Sequence, residues 1–327
     1  MKDKNTFACI IPVLPSDYLA INAHIYKVLD MLSVSKLIFI GPDELRESVF
    51  TDAKQKGIQD RVEFLDENEI LPFEKVKQAY KKRIEDIERL FGTVSQSARP
   101  GWYYQQFLKM EYSRICEDEY YLCWDADTIP LRSIDMFHSS GKPYLDVKAE
   151  YRPAYFDTLK NLLGIGKVIE QSFISEHMLF KKDLMLELLD TIMAADLSGN
   201  TFYEKIFSAV RQPFNGFSEF ETYGTWIACK YPDKYRIRSW KSLRNTSFMI
   251  NRNDLTDDDI RWLTTGFYAA SFERYQETEP LLNTLFKNPE YRRNLTADVF
   301  YNALLKEGLF GEYQNGGIIY EDGISPI

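Results

Sequence analysis

Apolar and polar residues alternate along the chain in blocks that predict short strands separated by helices. Residues 7–14 form an apolar run closed by Pro15, Ser16 and Asp17, which predicts a buried first strand and a turn. Residues 20–32 carry helical spacing, 36–40 predict a second strand stopped by Gly41 and Pro42, and 61–65 a third. Within residues 74–91, Val76, Tyr80, Ile84, Ile87 and Phe91 recur at helical spacing, so this helix is amphipathic, with a basic first half. Residues 93–99 are small and polar and predict a loop, after which Pro100 and Gly101 open an aromatic helix reaching Cys116. Residues 120–124, YYLCW, are uncharged and rich in β-formers, as a buried strand requires. Beyond them, residues 142–148 predict a strand and the next helix ends at Gly164 or Gly166. Residues 178–180 predict a strand leading into a helix with Asp183 as N-cap. Residues 235–244 are strand-like and carry Arg236, Arg238, Lys241 and Arg244, read as a basic edge that discourages strand pairing. Strands alternating with helices imply an α/β fold with a mixed, mostly parallel sheet flanked by helices. From Asn251 helix starts dominate, so residues 1–250 are expected to form the main domain and 251–327 a helical appendage packed on it.

Composition narrows the function classes. A chain of 327 residues, 45% hydrophobic and 27% charged, has ample material for a globular core. A net charge of −9 argues against nucleic acid as the main partner, because phosphate binding needs a basic face. Cys9, Cys116, Cys123 and Cys229 are widely spaced, so neither a zinc site nor a disulfide framework is expected. The start mimics a signal peptide, but Pro12, Pro15 and Asp17 interrupt its apolar run. No stretch reaches the ~18 apolar residues of a membrane span, so any membrane contact is expected to be peripheral.

The candidate chemistry centres on the acids after residues 120–124. On an extended segment Asp125 and Asp127 point to the same side, and two converging carboxylates suit a hard divalent cation such as Mg²⁺ or Mn²⁺. The alternative is an acidic turn in which one Asp caps local amides. In the helix after Pro100, Gln105 and Gln106 stand four and three residues before Lys109, which clusters amide and amine groups on adjoining faces. Further on, Ser218 predicts a helix N-cap with Glu221 in capping-box position; alternatively Glu219 or Glu221 removes a proton from an acceptor hydroxyl. His177 stands at the entrance of a predicted strand.

The stretch YYLCWDADTIPLR resembles the D-x-D segment of GT-A-type glycosyltransferases. With GWYYQQFLK upstream and FSEFETYG downstream, roughly residues 7–250 are similar to a group of bacterial transferases associated with surface-polysaccharide synthesis. The resemblance implies a GT-A-like fold and an enzyme in which Asp125 and Asp127 hold Mn²⁺ or Mg²⁺ against the diphosphate of a nucleotide sugar, UDP being the expected nucleotide. It implies that Pro12 and Asp17 edge the nucleoside site, and that Gln105, Gln106 and Lys109 lie beside the donor. His177 would either hydrogen-bond the sugar or complete the metal shell. It assigns Glu219 or Glu221 as base if transfer is inverting, and as acceptor-positioning acids if it is retaining. The implied partners are a nucleotide-sugar donor and a glycan or lipid-linked glycan acceptor, with a cytoplasmic location, peripheral at the inner face of the membrane. Two other classes use similar features: a nucleotidyl or sugar-phosphate transferase, and a non-catalytic glycan-binding scaffold with a degenerate transferase fold.

Overall fold

The computed structural model describes residues 7–92, 99–310 and 318–319; most of the polar loop expected at residues 93–99 therefore lies outside the described residues. Five strands form the central sheet in the order Val62–Asp66, Leu37–Gly41, Ala8–Pro12, Tyr120–Trp124 and His177–Lys181. The first four run parallel and the last runs antiparallel to its neighbour. Alternation dictates the two faces. Ile10, Ile38, Tyr121, Cys123 and Phe180 meet one core, shared with helices Phe73–Phe91, Pro100–Glu111, Lys182–Ala194 and Phe202–Ala209. Cys9, Ile11, Phe39, Leu122, Trp124 and Leu179 meet the core on the other face. The expected mixed, mostly parallel α/β architecture is the one observed. Cys9, Cys116 and Cys123 are buried, Cys229 is exposed, and all four are unpaired. Among the described residues no helix is long and apolar enough to cross a membrane.

Local chemistry moves several expected boundaries. The helical region expected at residues 20–32 is broken: a helix at Pro15–Ile21 starts on proline, whose fixed backbone angle suits a first turn, and Ile25–Lys27 is a separate 3₁₀ turn before Val28–Met31. Asp183 is not the N-cap of its helix, which begins at Lys182; instead it places negative charge in the first turn. The helix Pro153–Leu163 ends because Gly164 adopts φ +70°, where a side chain would be strained.

The segment after Asn251 is helical at Asp257–Leu263, Pro280–Lys287, Pro289–Asn294 and Ala297–Lys306. It also sends a strand, Ala269–Ser271, back between Ser242–Leu243 and Thr128–Pro130. Ile129, Leu131 and Leu243 accordingly share a core with Ile260, Trp262, Phe286 and Phe300. A boundary near residue 250 thus runs through both a sheet and a core. Asp259 anchors this region: its carboxylate closes a capping box with Thr256 and takes Lys287 at 2.8 Å and Arg292 at 2.5 Å. Burial alone would raise its pKa, but the Lys287 and Thr256 hydrogen bonds and Arg292 pull it to about 2. Because the folded value lies below the unfolded one, the contribution, roughly 2 kcal/mol, is present above pH about 4 and is lost as pH falls toward 2. In acid unfolding curves Asp259→Asn is expected to flatten that part of the stability profile.

A second prediction concerns the helix Glu219–Lys230. A Cβ on Gly224 would lie 2.2 Å from Phe173 Cγ, so the helix and the Phe173 segment touch through the glycine. Alanine ordinarily favours a helix by about 1 kcal/mol over glycine. Here overpacking outweighs that gain, and Gly224→Ala is expected to destabilise by about 1–3 kcal/mol in urea unfolding.

Candidate functional site

The Asp125–Asp127 stretch is a turn, not the extended segment that alternation predicts. The strand ends at Trp124, and Thr128 N donates to Asp125 O at 3.1 Å. Trp124 Nε1 donates to Thr128 O at 2.8 Å, Asp125 N to Glu176 O at 2.9 Å, and Phe272 N to Asp127 O at 2.9 Å. Backbone bonds from three directions therefore fix the turn at the carboxyl edge of the parallel strands. The register Ile10 to Cys123 puts Pro12, half-buried at the end of its strand, level with Asp125 on that edge. Burial first, then Glu273 and Asp125, push the Asp127 carboxyl well above the usual carboxylate range, while Arg244 opposes them.

Lys109 ties this turn to the rest of the site. Its helix is packed by Tyr103, Phe107 and Met110, and carries the lysine inward until its side chain is 1% exposed. There Nζ donates to Asp125 Oδ1 at 2.6 Å and Glu219 Oε1 at 2.7 Å, with the Phe220 ring centroid 4.4 Å away. Burial alone would strip the charge, but the two carboxylates more than reverse that and keep Lys109 protonated. Burial also raises the Glu219 carboxyl; Lys109 opposes the rise, Asp125 adds to it, and the result stays above the ordinary range. Gln106, also buried, accepts from Glu219 N at 3.1 Å and so occupies one of the free amides opening that helix. Gln105 is half-buried on the adjoining face.

The remaining predicted residues have other surroundings. Ser218 does cap the helix, accepting from Glu221 N at 3.2 Å, but the Glu221 carboxylate does not return to the cap. It accepts from Ser172 Oγ at 2.5 Å, Phe173 N at 3.1 Å and Thr225 Oγ1 at 2.9 Å, which makes it a brace for residues 172–173. His177 is buried between the rings of Trp124 and Trp240. Its Nδ1 lies 2.8 Å from Ser175 O and its Nε2 2.8 Å from Asp146 Oδ2, so both ring nitrogens are engaged by protein groups. Asp17 pairs with Arg274 at 3.2 Å.

Sequence reasoning missed a second ion network beside the turn. Arg244 reaches Glu150 at 2.7 Å and Glu176 and Glu273 at 3.3 Å each, and Lys148 reaches Glu176 at 2.6 Å. Burial would raise the Glu176 carboxyl, but Lys148 and Arg244 hold it at about 2. Glu176 adopts φ +61°, an uncommon backbone for a side chain, where its carbonyl meets Asp125 N. Arg238 forks onto Asp146 at 2.5 and 2.7 Å. Arg238 and Arg244 are therefore ion-network centres, in contrast to the solvated basic edge expected of them. Their acidic partners are scattered along the chain, and no local pattern marks them.

The donor set suits a divalent cation in one particular form. Among the described residues no three His, Cys, Asp or Glu side chains stand together as a complete metal cluster. Asp125 and Asp127 nevertheless set two carboxyl groups on one turn, and Mg²⁺ commonly takes one or two carboxylates plus substrate phosphates in place of an all-protein cage.

Comparison with curated proteins finds no significant match. Among solved structures, apo mouse xyloside xylosyltransferase 1 is similar at 13% identity and TM-score 0.42, over 84% of this chain and 99% of that one. The galactosyltransferase LgtC, in complex with donor and acceptor sugar analogs, is similar at 11% identity and TM-score 0.41, over 88% and 100%. The glycosyltransferase GlyE of Streptococcus pneumoniae TIGR4 is similar at 11% identity and TM-score 0.35, over 93% and 64%. The model of DUF6492, described as a family of unknown function, matches residues 29–281, and the chain belongs to that family.

Proposed function

We propose that the chain is a metal-dependent glycosyltransferase that moves a sugar from a nucleoside diphosphate sugar, with UDP the expected nucleotide, to a saccharide or lipid-linked saccharide hydroxyl in bacterial surface-polysaccharide synthesis. One observation carries this reading: a single buried ammonium, Lys109, joins the D-x-D turn through Asp125 to Glu219 at the start of a late helix. The resemblance of these same stretches to GT-A-type enzymes supports reading Asp125 as a donor-side acid and Glu219 as an acceptor-side acid, joined by the lysine between them.

Asp125 and Asp127 would hold the cation, which supplies charge neutralisation for the departing diphosphate. Lys109 orients both Asp125 and Glu219, and its charge offsets theirs in a poorly hydrated site. Glu219, with its carboxyl raised above the ordinary range, is the better placed of the two predicted acids to accept a hydroxyl proton. Gln106 fixes its backbone, and Glu221 holds the neighbouring segment.

Calorimetric titration with UDP and a panel of UDP sugars, with Mn²⁺ and then with chelator, tests the proposal. The expected result is binding that requires metal, followed by transfer to a saccharide acceptor. Turnover of nucleoside triphosphates with a sugar phosphate would instead make the protein a nucleotidyltransferase.

A further inference from the structure

Glu176 holds a backbone conformation that its side chain disfavours. Among the described residues only Ser33 and Glu176 combine a side chain with a positive φ, and Glu176 stands at +61°. Such a backbone persists only where its surroundings over-determine it. The ladder between Tyr120–Trp124 and His177–Lys181 shows what the conformation achieves: Trp124 pairs with His177, and one position further on Glu176 O accepts from Asp125 N at 2.9 Å. The first acid of the D-x-D turn thus hangs on the carbonyl of the strained residue.

The Glu176 carboxylate supplies the anchor. Its Oε1 takes Lys148 Nζ at 2.6 Å and lies 3.3 Å from Arg244 Nε, while Oε2 accepts from Ser242 Oγ at 2.7 Å and Trp240 Nε1 at 3.1 Å. Two donors on each oxygen, on a side chain 3% exposed, fill the carboxylate and leave nothing for a ligand. Glu176 therefore acts through Asp125, with no contact of its own to substrate or metal. Arg244 extends the anchor to the other end of the turn, because it also reaches Glu273 at 3.3 Å, and the adjacent Phe272 N holds Asp127 O at 2.9 Å.

We infer that Glu176 is the positioning residue of the D-x-D turn, its locked carboxylate sustaining the left-handed backbone that aims Glu176 O at Asp125 N. Lys109 fixes the Asp125 side chain and Glu176 its main chain, so the acid is held at both ends. The inference rests on the proposed function only in taking Asp125 for a metal ligand; the hold on the turn requires neither metal nor nucleotide.

The test compares Glu176→Gln with Glu150→Gln in the full chain. An amide keeps the shape of Glu176 but sets an NH₂ group against two of the four donors, which loosens the anchor. Glu150 is also buried, and its carboxylate bonds Arg152 and Arg244 rather than the turn, so it controls for the loss of one charge from the network. Hydrogen exchange at the Asp125 amide is expected to quicken about tenfold in Glu176→Gln and to stay within about twofold of wild type in Glu150→Gln. Calorimetry with Mn²⁺ and UDP should show metal-dependent binding about tenfold weaker in Glu176→Gln. If that variant does not fold, Lys148→Met removes the closest anchor and is expected to move the Asp125 amide the same way. Equal acceleration in both glutamine variants would overturn the positioning role, as would an Asp125 amide as protected as in wild type, or quickened exchange with Mn²⁺ and UDP bound as tightly as before. An amide that responds as expected in a protein that takes no UDP with Mn²⁺ would leave Glu176 its hold on the turn and remove the metal reading.

Discussion

Lys109→Met is expected to lower stability by about 3–5 kcal/mol and, on the proposed function, to abolish sugar transfer. Methionine keeps the length and apolar stem of lysine, so packing against Phe220 is largely retained. What disappears is the ammonium that bridges Glu219 and Asp125. Glu219 is 3% exposed and cannot turn to water, whereas Asp125, with a side chain about a third exposed at 32%, recovers part of its hydration. Most of the loss therefore falls on Glu219. The double variant Lys109→Met, Glu219→Gln removes the stranded charge and should regain much of the stability while remaining inactive. Urea unfolding of wild type, Lys109→Met, Glu219→Gln and the double variant gives the coupling. Effects that add to within about 0.5 kcal/mol would show that the two residues do not act as a pair.

That lysine also marks the limit of what the sequence discloses. Its neighbours Tyr103, Phe107 and Met110 recur at helical spacing as a core face would, and the ordinary expectation for a lone lysine among them is a packed stem with a solvated head. The expectation fails because the charges that keep it inside come from 16 and 110 residues away, and periodicity carries no information about them. The central strands were legible for the opposite reason. YYLCW and its partners advertise burial on both faces residue by residue, and the observed sheet follows. The acids after YYLCW lie at the carboxyl edge of the parallel strands, but the argument from alternation assumed an extended backbone where the chain in fact turns at Asp125. Ala269–Ser271 is three residues long in a helical region and becomes a strand because Thr128–Pro130 and Ser242–Leu243 are there to pair with it. Glu273, two residues further on, reaches the turn by that route, with no motif of its own.

Asp127→Asn separates structure from chemistry most cleanly. The substitution keeps the shape and the backbone acceptor for Phe272 N, and replaces a carboxyl that burial, Glu273 and Asp125 already push toward its neutral form. Stability should therefore stay within about 1 kcal/mol of wild type or rise above it, unlike the loss expected at Lys109. Metal-dependent binding of the nucleotide sugar should fall about 100-fold, close to 2.7 kcal/mol, because a neutral amide is a much poorer partner than a carboxylate for a hard cation bridging to a diphosphate. Calorimetry with and without chelator reads the effect directly, and a thermal melt on the same sample reads the fold. A stable variant that has lost only the metal-dependent component assigns Asp127 to the cation. Binding that ignores chelator and survives the substitution would remove both Asp125 and Asp127 from the metal role; the Lys109 to Glu219 pair would then be the place to look for the recognition of substrate.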